Sequence, residues 1–247
     1  MSVLAGKAAV VTGGSRGIGR AVVERLAHDG AQVVFGYARN AAAADEVTRA
    51  VEDAGGQATG LRCDLQEPGA AEEFMAQAEK RLGGLDILVN NAALSFSPAP
   101  LAETDEDLFD RVMAVNTRSA FLTMRWAARS MRDGGRIVNI STLNTVRPVR
   151  GITPYAASKG ALEQLTLVAA QELGARGITV NTVSPGATDT DLLHEANPGV
   201  DFAPLKALTP LGRLGLPSDI ADVVAFLSGP DSRWLTGQNL HATGGLG

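Results

Sequence analysis

Two side chains, Tyr155 and Lys159, form the pair in this sequence best suited to acid–base chemistry. Residues four positions apart on a helix lie on the same face. A charged ammonium beside a phenol favours the phenolate and lowers the tyrosine pKa toward the operating pH, as a general acid requires. The same spacing is common in ordinary amphipathic helices, so a functional interpretation depends on the rest of the chain.

A glycine-rich segment near the start of the chain is suited to holding a phosphate group. It reads Thr12-Gly13-Gly14-Ser15-Arg16-Gly17-Ile18-Gly19 and lies between an apolar run and a helical pattern. In such a turn the backbone amides and the helix dipole can face a pyrophosphate, whose approach side chains would block. The spacing differs from GxGxxG, but its position favours a dinucleotide site over a turn used only for close helix packing.

The residues after the second predicted strand bear on the choice of nicotinamide cofactor. No Asp or Glu lies between Gly30 and Ala44, whereas Arg39 does. NAD sites usually place an acidic residue about 20 positions along, where it binds the ribose hydroxyls. Arg16 and Arg39 can instead pair with a 2′-phosphate, so the sequence favours NADP(H) over NAD(H). If Arg39 is only a solvated side chain, its attraction is lost, but there is still no acidic residue here to repel a 2′-phosphate.

Alternating strand and helix patterns form the framework that must position these residues. Strands are predicted at 8–11, 32–36, 59–63, 86–89, 135–140, 179–184 and 238–242, and helices at 18–29, 41–54, 68–82, 104–116, 155–173 and 218–227. This order predicts an α/β fold: a single-domain, Rossmann-type doubly wound parallel sheet of about seven strands with helices on both faces.

No linker interrupts the series, so residues 1–247 are expected to form one domain. The least regular region, 186–217, contains Pro198, Pro204 and Pro210, which discourage a long helix. A loop beyond the carboxyl end of a strand is a natural cover for a ligand in such a fold. We therefore expect 186–217 to be a substrate loop or lid.

Composition excludes several classes of protein. The chain has 247 residues, 45% hydrophobic and 20% charged, which is typical of a globular enzyme-sized domain. A net charge of −5 without a basic stripe argues against a nucleic-acid partner. The apolar runs are far shorter than the roughly 20 residues that a membrane span needs. One cysteine, three scattered histidines and no recognisable signal segment predict a cytoplasmic protein without a metal site.

Taken together, these motifs resemble those of the classical short-chain dehydrogenase/reductase family, and the likeness runs essentially from end to end. Its branch of 3-oxoacyl-carrier-protein reductases is the most similar. The resemblance is carried by the glycine segment, Asp64-Leu65, Asn90-Asn91-Ala92-Ala93, Asn116, Ile140-Ser141-Thr142, Tyr155-xxx-Lys159, and Pro185-Gly186 with Thr190.

The resemblance implies a role for each matching residue. Tyr155 would be the acid/base, Lys159 its tuner and a ribose ligand, and Asn116 the support of a proton relay through water. Asp64 and Leu65 would contact the adenine, and 185–190 the nicotinamide. The cofactor-binding residues expected are Gly13, Ser15, Arg16, Gly17, Ile18, Gly19, Tyr37, Arg39, Asp64, Leu65, Asn91, Ala92, Tyr155, Lys159, Pro185, Gly186, Thr188 and Thr190.

Three positions depart from the family pattern. Thr142, thirteen residues before Tyr155, stands where the family usually has a substrate-polarising serine. Its hydroxyl can donate the same hydrogen bond, but its methyl group restricts the rotamer and crowds the pocket. Ala93 and Thr145 stand where glycines are usual. These changes bear on the local geometry and on the range of substrates, and not on the fold.

The chemistry that the resemblance implies is hydride transfer between a nicotinamide and a carbonyl or alcohol carbon. The favoured function is NADP(H)-dependent reduction of a ketone or 3-oxoacyl group. One alternative is an alcohol or sugar dehydrogenase that runs in the oxidative direction, a choice set by the cofactor pools. Another is a weakly active NADP-sensing binding protein, in which Thr142 has removed useful catalysis.

The expected partner is a small carbonyl or alcohol compound. Apolar side chains that could form the pocket wall are Leu94, Phe96, Leu143, Val146, Leu192, Leu193, Phe202 and Leu205. A carrier-bound substrate is not preferred, since docking would depend on Arg125, Arg129 and Arg132 alone. The family implies a homotetramer, or a homodimer, and Trp234 is interpreted as either a core residue or a subunit contact.

Overall fold

A seven-stranded parallel sheet forms the centre of the computed structural model, which describes residues 2–94 and 96–246. Its strand order is β3-β2-β1-β4-β5-β6-β7, so the order reverses between β1 and β4. This confirms the predicted doubly wound fold. The strands are β1 (Ala8–Val11), β2 (Gln32–Tyr37), β3 (Gln57–Arg62), β4 (Ile87–Asn90), β5 (Arg136–Ile140), β6 (Thr179–Pro185) and β7 (Asn239–Ala242).

Helices cover both faces of the sheet because its central strands are apolar on both sides. The helices are α1 (Gly17–His28), α2 (Ala41–Asp53), α3 (Ala70–Leu82), α4 (Glu106–Met113), α5 (Ser119–Ser130), α6 (Thr153–Leu173), α7 (Asp191–Ala196), α8 (Ala203–Leu208) and α9 (Pro217–Ser228). Along β1, Ala9 and Val11 pack with α1, α2 and α9, whereas Val10 packs with α3, α5 and α6 on the opposite face.

A single π turn, Ala114–Arg118, joins α4 to α5 without a break in the helical run. It contains Asn116, one of the predicted site residues. Helix α4 packs against α6, and α5 packs against α3. The predicted helix over 104–116 is therefore only the first part of a longer element. Such π turns occur frequently at functional sites.

Other boundaries differ from the sequence prediction for local reasons. Helix α3 begins at Ala70 because Gly69 adopts a left-handed conformation with φ of 82°. Asp105 caps α4 by accepting a hydrogen bond from the Asp107 amide at 2.9 Å, so this helix begins at Glu106 and not at 104. The interpretation of Trp234 as a core residue is wrong, because 95% of it is exposed.

The region 186–217 contains two short helices, α7 and α8, in agreement with the distribution of its prolines. Pro204 lies in the first turn of α8, where its missing amide hydrogen costs no helical bond. Pro198 and Pro210 lie outside both helices. The two helices fall between β6 and α9, beyond the carboxyl end of the sheet.

Buried Cys63 lies just after β3. Burial, together with the negative charges of Asp64 and Glu73, raises its thiol pKa to about 12. The thiolate needed for nucleophilic attack or metal binding is therefore strongly disfavoured. Within the described ranges, no three His, Cys, Asp or Glu side chains form a group that could hold a metal ion. No helix there is long and apolar enough to cross a membrane.

Candidate active site

One edge of the sheet collects most of the predicted site residues. Because all strands are parallel, their carboxyl ends meet at this edge, where ligands bind in open α/β sheets. The glycine segment follows β1, Arg39 follows β2, Asp64 follows β3, Asn91 follows β4, Thr142 follows β5 and Gly186 follows β6. Tyr155 and Lys159 reach this edge from α6.

The glycine segment packs directly against the chain that follows β4. Gly13 has a φ of 68°, and a Cβ there would lie 3.0 Å from the Ala92 Cα. A Cβ on Gly19 would overlap both the Gly13 carbonyl oxygen and the side-chain amide of Asn91. That amide donates hydrogen bonds to the carbonyls of Thr12 and Gly13, at 3.1 and 2.9 Å. Asn91 therefore holds the shape of the segment.

The N-terminus of α1 is open, as a phosphate site requires. Arg16 precedes the helix and its side chain makes no capping hydrogen bond. Gly17 has a φ of 53°, and a Cβ there would come within 3.3 Å of Thr190. Positive helix-end charge and backbone amides that no side chain caps suit a pyrophosphate. The residues present therefore fit the phosphates of a dinucleotide cofactor.

The segment after β6 approaches this cradle from the opposite side. Thr190 caps α7 by accepting a hydrogen bond from the Leu193 amide at 3.3 Å. Thr188 donates to the Gly186 carbonyl at 3.0 Å. The guanidinium of Arg16 pairs with Glu195 in α7, so an ion pair also joins the glycine segment to 186–217.

Predicted ligands for the adenine half follow the neighbouring strands β2 and β3. Tyr37 pairs in register with Arg62, so the two strands end side by side. Tyr37 is half-buried and Arg39 is exposed. Asp64 accepts a hydrogen bond from the Gln66 amide at 3.1 Å, while Leu65 is buried. An exposed arginine and a positioned carboxylate thus follow the ends of two neighbouring strands.

Tyr155 and Thr142 meet where α6 approaches the end of β5. Burial raises the pKa of Tyr155, and a hydrogen bond with the Thr142 side chain opposes that shift. The net direction is opposite to the lowering expected from Lys159. The reason lies in the geometry: the Lys159 Nζ is 5.9 Å from the tyrosine ring centre and donates to the Ile140 carbonyl at 2.7 Å.

Lys159 is almost completely buried, with 2% of it exposed. Burial lowers its pKa to about 8, and the negative charge of Glu163 acts in the opposite direction. The ammonium form is therefore stable below about pH 8, while Tyr155 stays protonated at neutral pH. A protonated phenol beside a threonine hydroxyl can donate hydrogen bonds and a proton to a carbonyl oxygen.

Asn116 links three segments of the site from within the π turn. Its Oδ1 accepts a hydrogen bond from the Leu94 amide at 2.9 Å, and its Nδ2 donates to Ser158 at 3.0 Å. The Ser158 hydroxyl in turn donates to the Tyr155 carbonyl at 2.7 Å. Sequence reasoning missed Ser158, because an unremarkable serine between Tyr155 and Lys159 carries no distinguishing signal.

A buried network of polar side chains was also missed. Asn90 donates to Asn139 at 2.8 Å, and Asn139 donates to Thr166 in α6 at 2.8 Å. Thr123 in α5 donates to Asn90 at 2.6 Å. These bonds fasten β4, β5 and two helices together below the site. An asparagine inside an apolar strand run, as at position 139, is the signal that could have revealed it.

The structure does not show the predicted apolar wall as one surface. Leu143 is buried in the protein, whereas 54% of Val146 is exposed. Phe202 precedes α8 and packs edge-on against His194, with ring centres 5.5 Å apart. These side chains border the region of the site without defining the shape of a substrate.

Comparison with known proteins places this geometry in context. The family model described as enoyl-(acyl carrier protein) reductase matches residues 13–247. The versicolorin reductase StcU of Emericella nidulans is 38% identical over 98% of this chain and 96% of its own length. A short-chain dehydrogenase/reductase from Serratia marcescens is 44% identical, with a TM-score of 0.93 and 99% of both chains covered. The angucycline C-6 ketoreductase LanV, solved with bound NADP, is 42% identical, with a TM-score of 0.93 over 99% of this chain and 97% of LanV.

Proposed function

Because the chain belongs to the short-chain dehydrogenase/reductase family, we propose that it reduces a ketone or 3-oxoacyl group with NADPH. It is an oxidoreductase that acts on carbonyl and hydroxyl groups. The observation that carries the proposal is the meeting of Thr142, Tyr155 and Lys159 at the sheet edge that also bears the glycine cradle.

In this proposal the residues of the chain bind, orient and protonate. Thr142 and Tyr155 hydrogen-bond the substrate carbonyl oxygen, and Tyr155 gives it a proton as negative charge develops. Burial raises the pKa of Tyr155, so the phenol keeps its proton at neutral pH and can supply it to the carbonyl oxygen. The bound nicotinamide supplies the hydride.

Cofactor oxidation by the purified protein tests this function. NADPH and NADH are supplied in parallel to ketones, diketones and 3-oxoacyl thioesters, and the loss of absorbance at the nicotinamide band is followed. We expect turnover with at least one substrate class and a higher kcat/KM with NADPH. Alcohol and sugar oxidation with NADP⁺ on the same protein tests the oxidative alternative, and a higher kcat/KM there would overturn the proposed direction.

Replacing Arg39 with alanine tests the proposed preference for NADP(H). A hydrogen-bonded charge pair contributes about 1.5–3 kcal/mol, which corresponds to roughly 10- to 100-fold in affinity. We therefore expect the KM for NADPH to rise by about that factor, with the KM for NADH unchanged. Arg49→Ala is the matched control, because Arg49 is an exposed arginine on the adjoining helix α2. Equal changes for both cofactors would contradict a contact to the 2′-phosphate.

Two replacements of Thr142 separate catalysis from mere cofactor binding. Thr142→Val keeps the shape but removes the hydroxyl, so we expect kcat/KM to fall about 10²-fold, as for the loss of one oxyanion donor. Thr142→Ser keeps the hydroxyl, and its kcat/KM should remain within a fewfold of the parent. The sensing alternative predicts a different pattern: an inactive parent that binds NADPH, and turnover that appears only in Thr142→Ser.

We propose that 186–217 acts as a lid, supported by the Arg16–Glu195 pair and by the approach of Thr190 to Gly17.

We also propose a cytoplasmic homotetramer or homodimer. Exposed apolar side chains on α5 and α6, among them Phe121, Leu167 and Val168, support an association through these helices.

A further inference from the structure

Glu163 is a carboxylate behind the candidate site that the proposed reaction does not use. It lies on α6 four residues after Lys159 and eight after Tyr155, so the three side chains share one face of the helix. Its Oε1 accepts hydrogen bonds from Ser141 at 2.6 Å and from Thr145 at 2.8 Å. The Ser184 hydroxyl of β6 lies 3.5 Å from the same oxygen.

These contacts hold the chain on both sides of Thr142. Ser141 is the residue before Thr142, and Thr145 ends the short turn that follows it. The Thr145 hydroxyl also lies 3.0 Å from the Thr142 carbonyl, but it has a single hydrogen to donate. The ionised carboxylate is the stronger acceptor. Glu163 therefore fixes the backbone segment that presents the Thr142 hydroxyl.

The charge of Glu163 acts on Lys159 as well. Burial lowers the pKa of Lys159 to about 8, and Glu163 is the charged group that opposes this effect. The neighbouring ends of β5 and β6 contribute neutral hydroxyls and the Ile140 carbonyl. Nearby titratable groups on the other packed elements are His241 of β7, which is exposed and in register with Ser184, and Asp110 and Arg118, which line an outer groove beside Leu165.

We propose that Glu163 is a positioning residue, which anchors the turn carrying Thr142 and supports the ammonium form of Lys159 with its charge. This inference rests on the proposed function for the importance of both groups in turnover. Glu163 itself has no contact with the reacting atoms and acts through its two neighbours. Its effect on Lys159 is nevertheless a property of the protein that can be measured without any substrate.

Titration of the lysine side chains by NMR tests the charge effect directly. The chain has only four lysines, Lys7, Lys80, Lys159 and Lys206, and Lys159→Arg identifies the signal of interest. Glu163→Gln keeps an oxygen that accepts the same hydrogen bonds but removes the charge. We expect the midpoint of Lys159 to fall by about 0.5–1 pH unit, in line with the loss of a nearby opposite charge.

Glu172→Gln is the matched control. It removes the same charge from the same helix, but Glu172 is exposed and lies thirteen residues beyond Lys159, about 20 Å along the helix axis. In Glu172→Gln, the titration midpoint of the Lys159 side chain should equal that of the parent. An unchanged midpoint in folded Glu163→Gln would overturn the charge effect, whether or not a substrate has been found.

The pH profile of kcat/KM connects this charge to turnover. In Glu163→Gln the high-pH limb should move to lower pH by the same interval as the Lys159 midpoint, and in Glu172→Gln it should not move. A shifted midpoint with an unshifted profile would overturn the proposed link to turnover. Absence of turnover in every variant and in the parent would instead count against the proposed function, while the titration would still decide the effect of Glu163.

A second variant tests the anchoring independently and remains informative if Glu163→Gln does not fold. Ser141→Ala combined with Thr145→Val removes two hydroxyl donors and leaves the carboxylate in place. We expect kcat to fall about tenfold with the Lys159 midpoint unchanged, because only the position of Thr142 is disturbed. An unchanged kcat would overturn the anchoring role. Thermal unfolding of each variant shows that the fold is intact.

Discussion

Tyr155→Phe is expected to abolish turnover while leaving cofactor binding intact. The replacement keeps the ring but removes the hydroxyl that donates to the substrate oxygen, and general acid catalysis contributes about 10²–10⁴-fold. We expect kcat/KM to fall by about 10³-fold or more, since the hydrogen bond to the oxyanion is lost together with the proton. The measurement is NADPH oxidation with the best substrate at saturating cofactor.

NADPH fluorescence on binding provides the control for this variant. Its dissociation constant should stay within about threefold of the parent, because the phenol contributes at most one neutral hydrogen bond to the cofactor. Thermal unfolding should change little, since the ring that fills the space is retained. Turnover within tenfold of the parent would refute the acid/base role of Tyr155 and make Thr142 the next candidate for that role.

Gly19→Ala is expected to prevent cofactor binding. The new methyl group would overlap the Gly13 carbonyl and the Asn91 amide, so the glycine segment and the chain after β4 would have to separate. An alanine normally stabilises a helix by about 0.5–1 kcal/mol relative to glycine, and here the sign should reverse. We expect NADPH affinity to fall by at least about 10²-fold, because the open N-terminus of α1 is displaced.

Gly174→Ala supplies the matched control for the backbone change. Gly174 follows α6 with a φ of −57°, and a Cβ there would meet no atom within 4 Å. NADPH affinity should be unchanged and the unfolding temperature equal to or above that of the parent. If Gly19→Ala bound NADPH within threefold of the parent, the glycine segment would not be the pyrophosphate cradle.

Much of the fold was accessible from the sequence because its signals are local. Apolar runs ending at turn residues located all seven strands, and Pro198, Pro204 and Pro210 indicated the broken helices of 186–217. The placement of Thr142, rather than Ser141, beside Tyr155 agrees with counting back from Tyr155: the Thr142 hydroxyl meets the phenol, whereas the Ser141 hydroxyl bonds to Glu163.

The remaining features depend on contacts between distant segments. A π turn has no compositional signature, so the residues around Asn116 did not predict it. The direction in which the pKa of Tyr155 shifts depends on how deeply the phenol is buried and on where the Lys159 ammonium points. Neither follows from the four-residue spacing of the two side chains. Glu163 was invisible for the same reason, since its three hydroxyl partners come from segments separated by about 20 residues from it along the chain.

The π turn also sets the rotational phase of the helical run from Glu106 to Ser130. Each residue of an α-helix advances the side-chain direction by about 100°, and a π turn accommodates one residue more than an α turn, so after it the residues that face a given direction are offset by one position. The apolar side of α5, formed by Ala120, Met124 and Ala127, is thereby aimed at the sheet and α3, while α4 keeps its own contact with α6. The continuous helical run thus contacts α6 along α4 and α3 along α5. The extra residue is thus taken up within the turn itself: deleting one residue there would restore a regular helix and keep the core-facing side of α5 in place, but would remove the wide turn that holds Asn116.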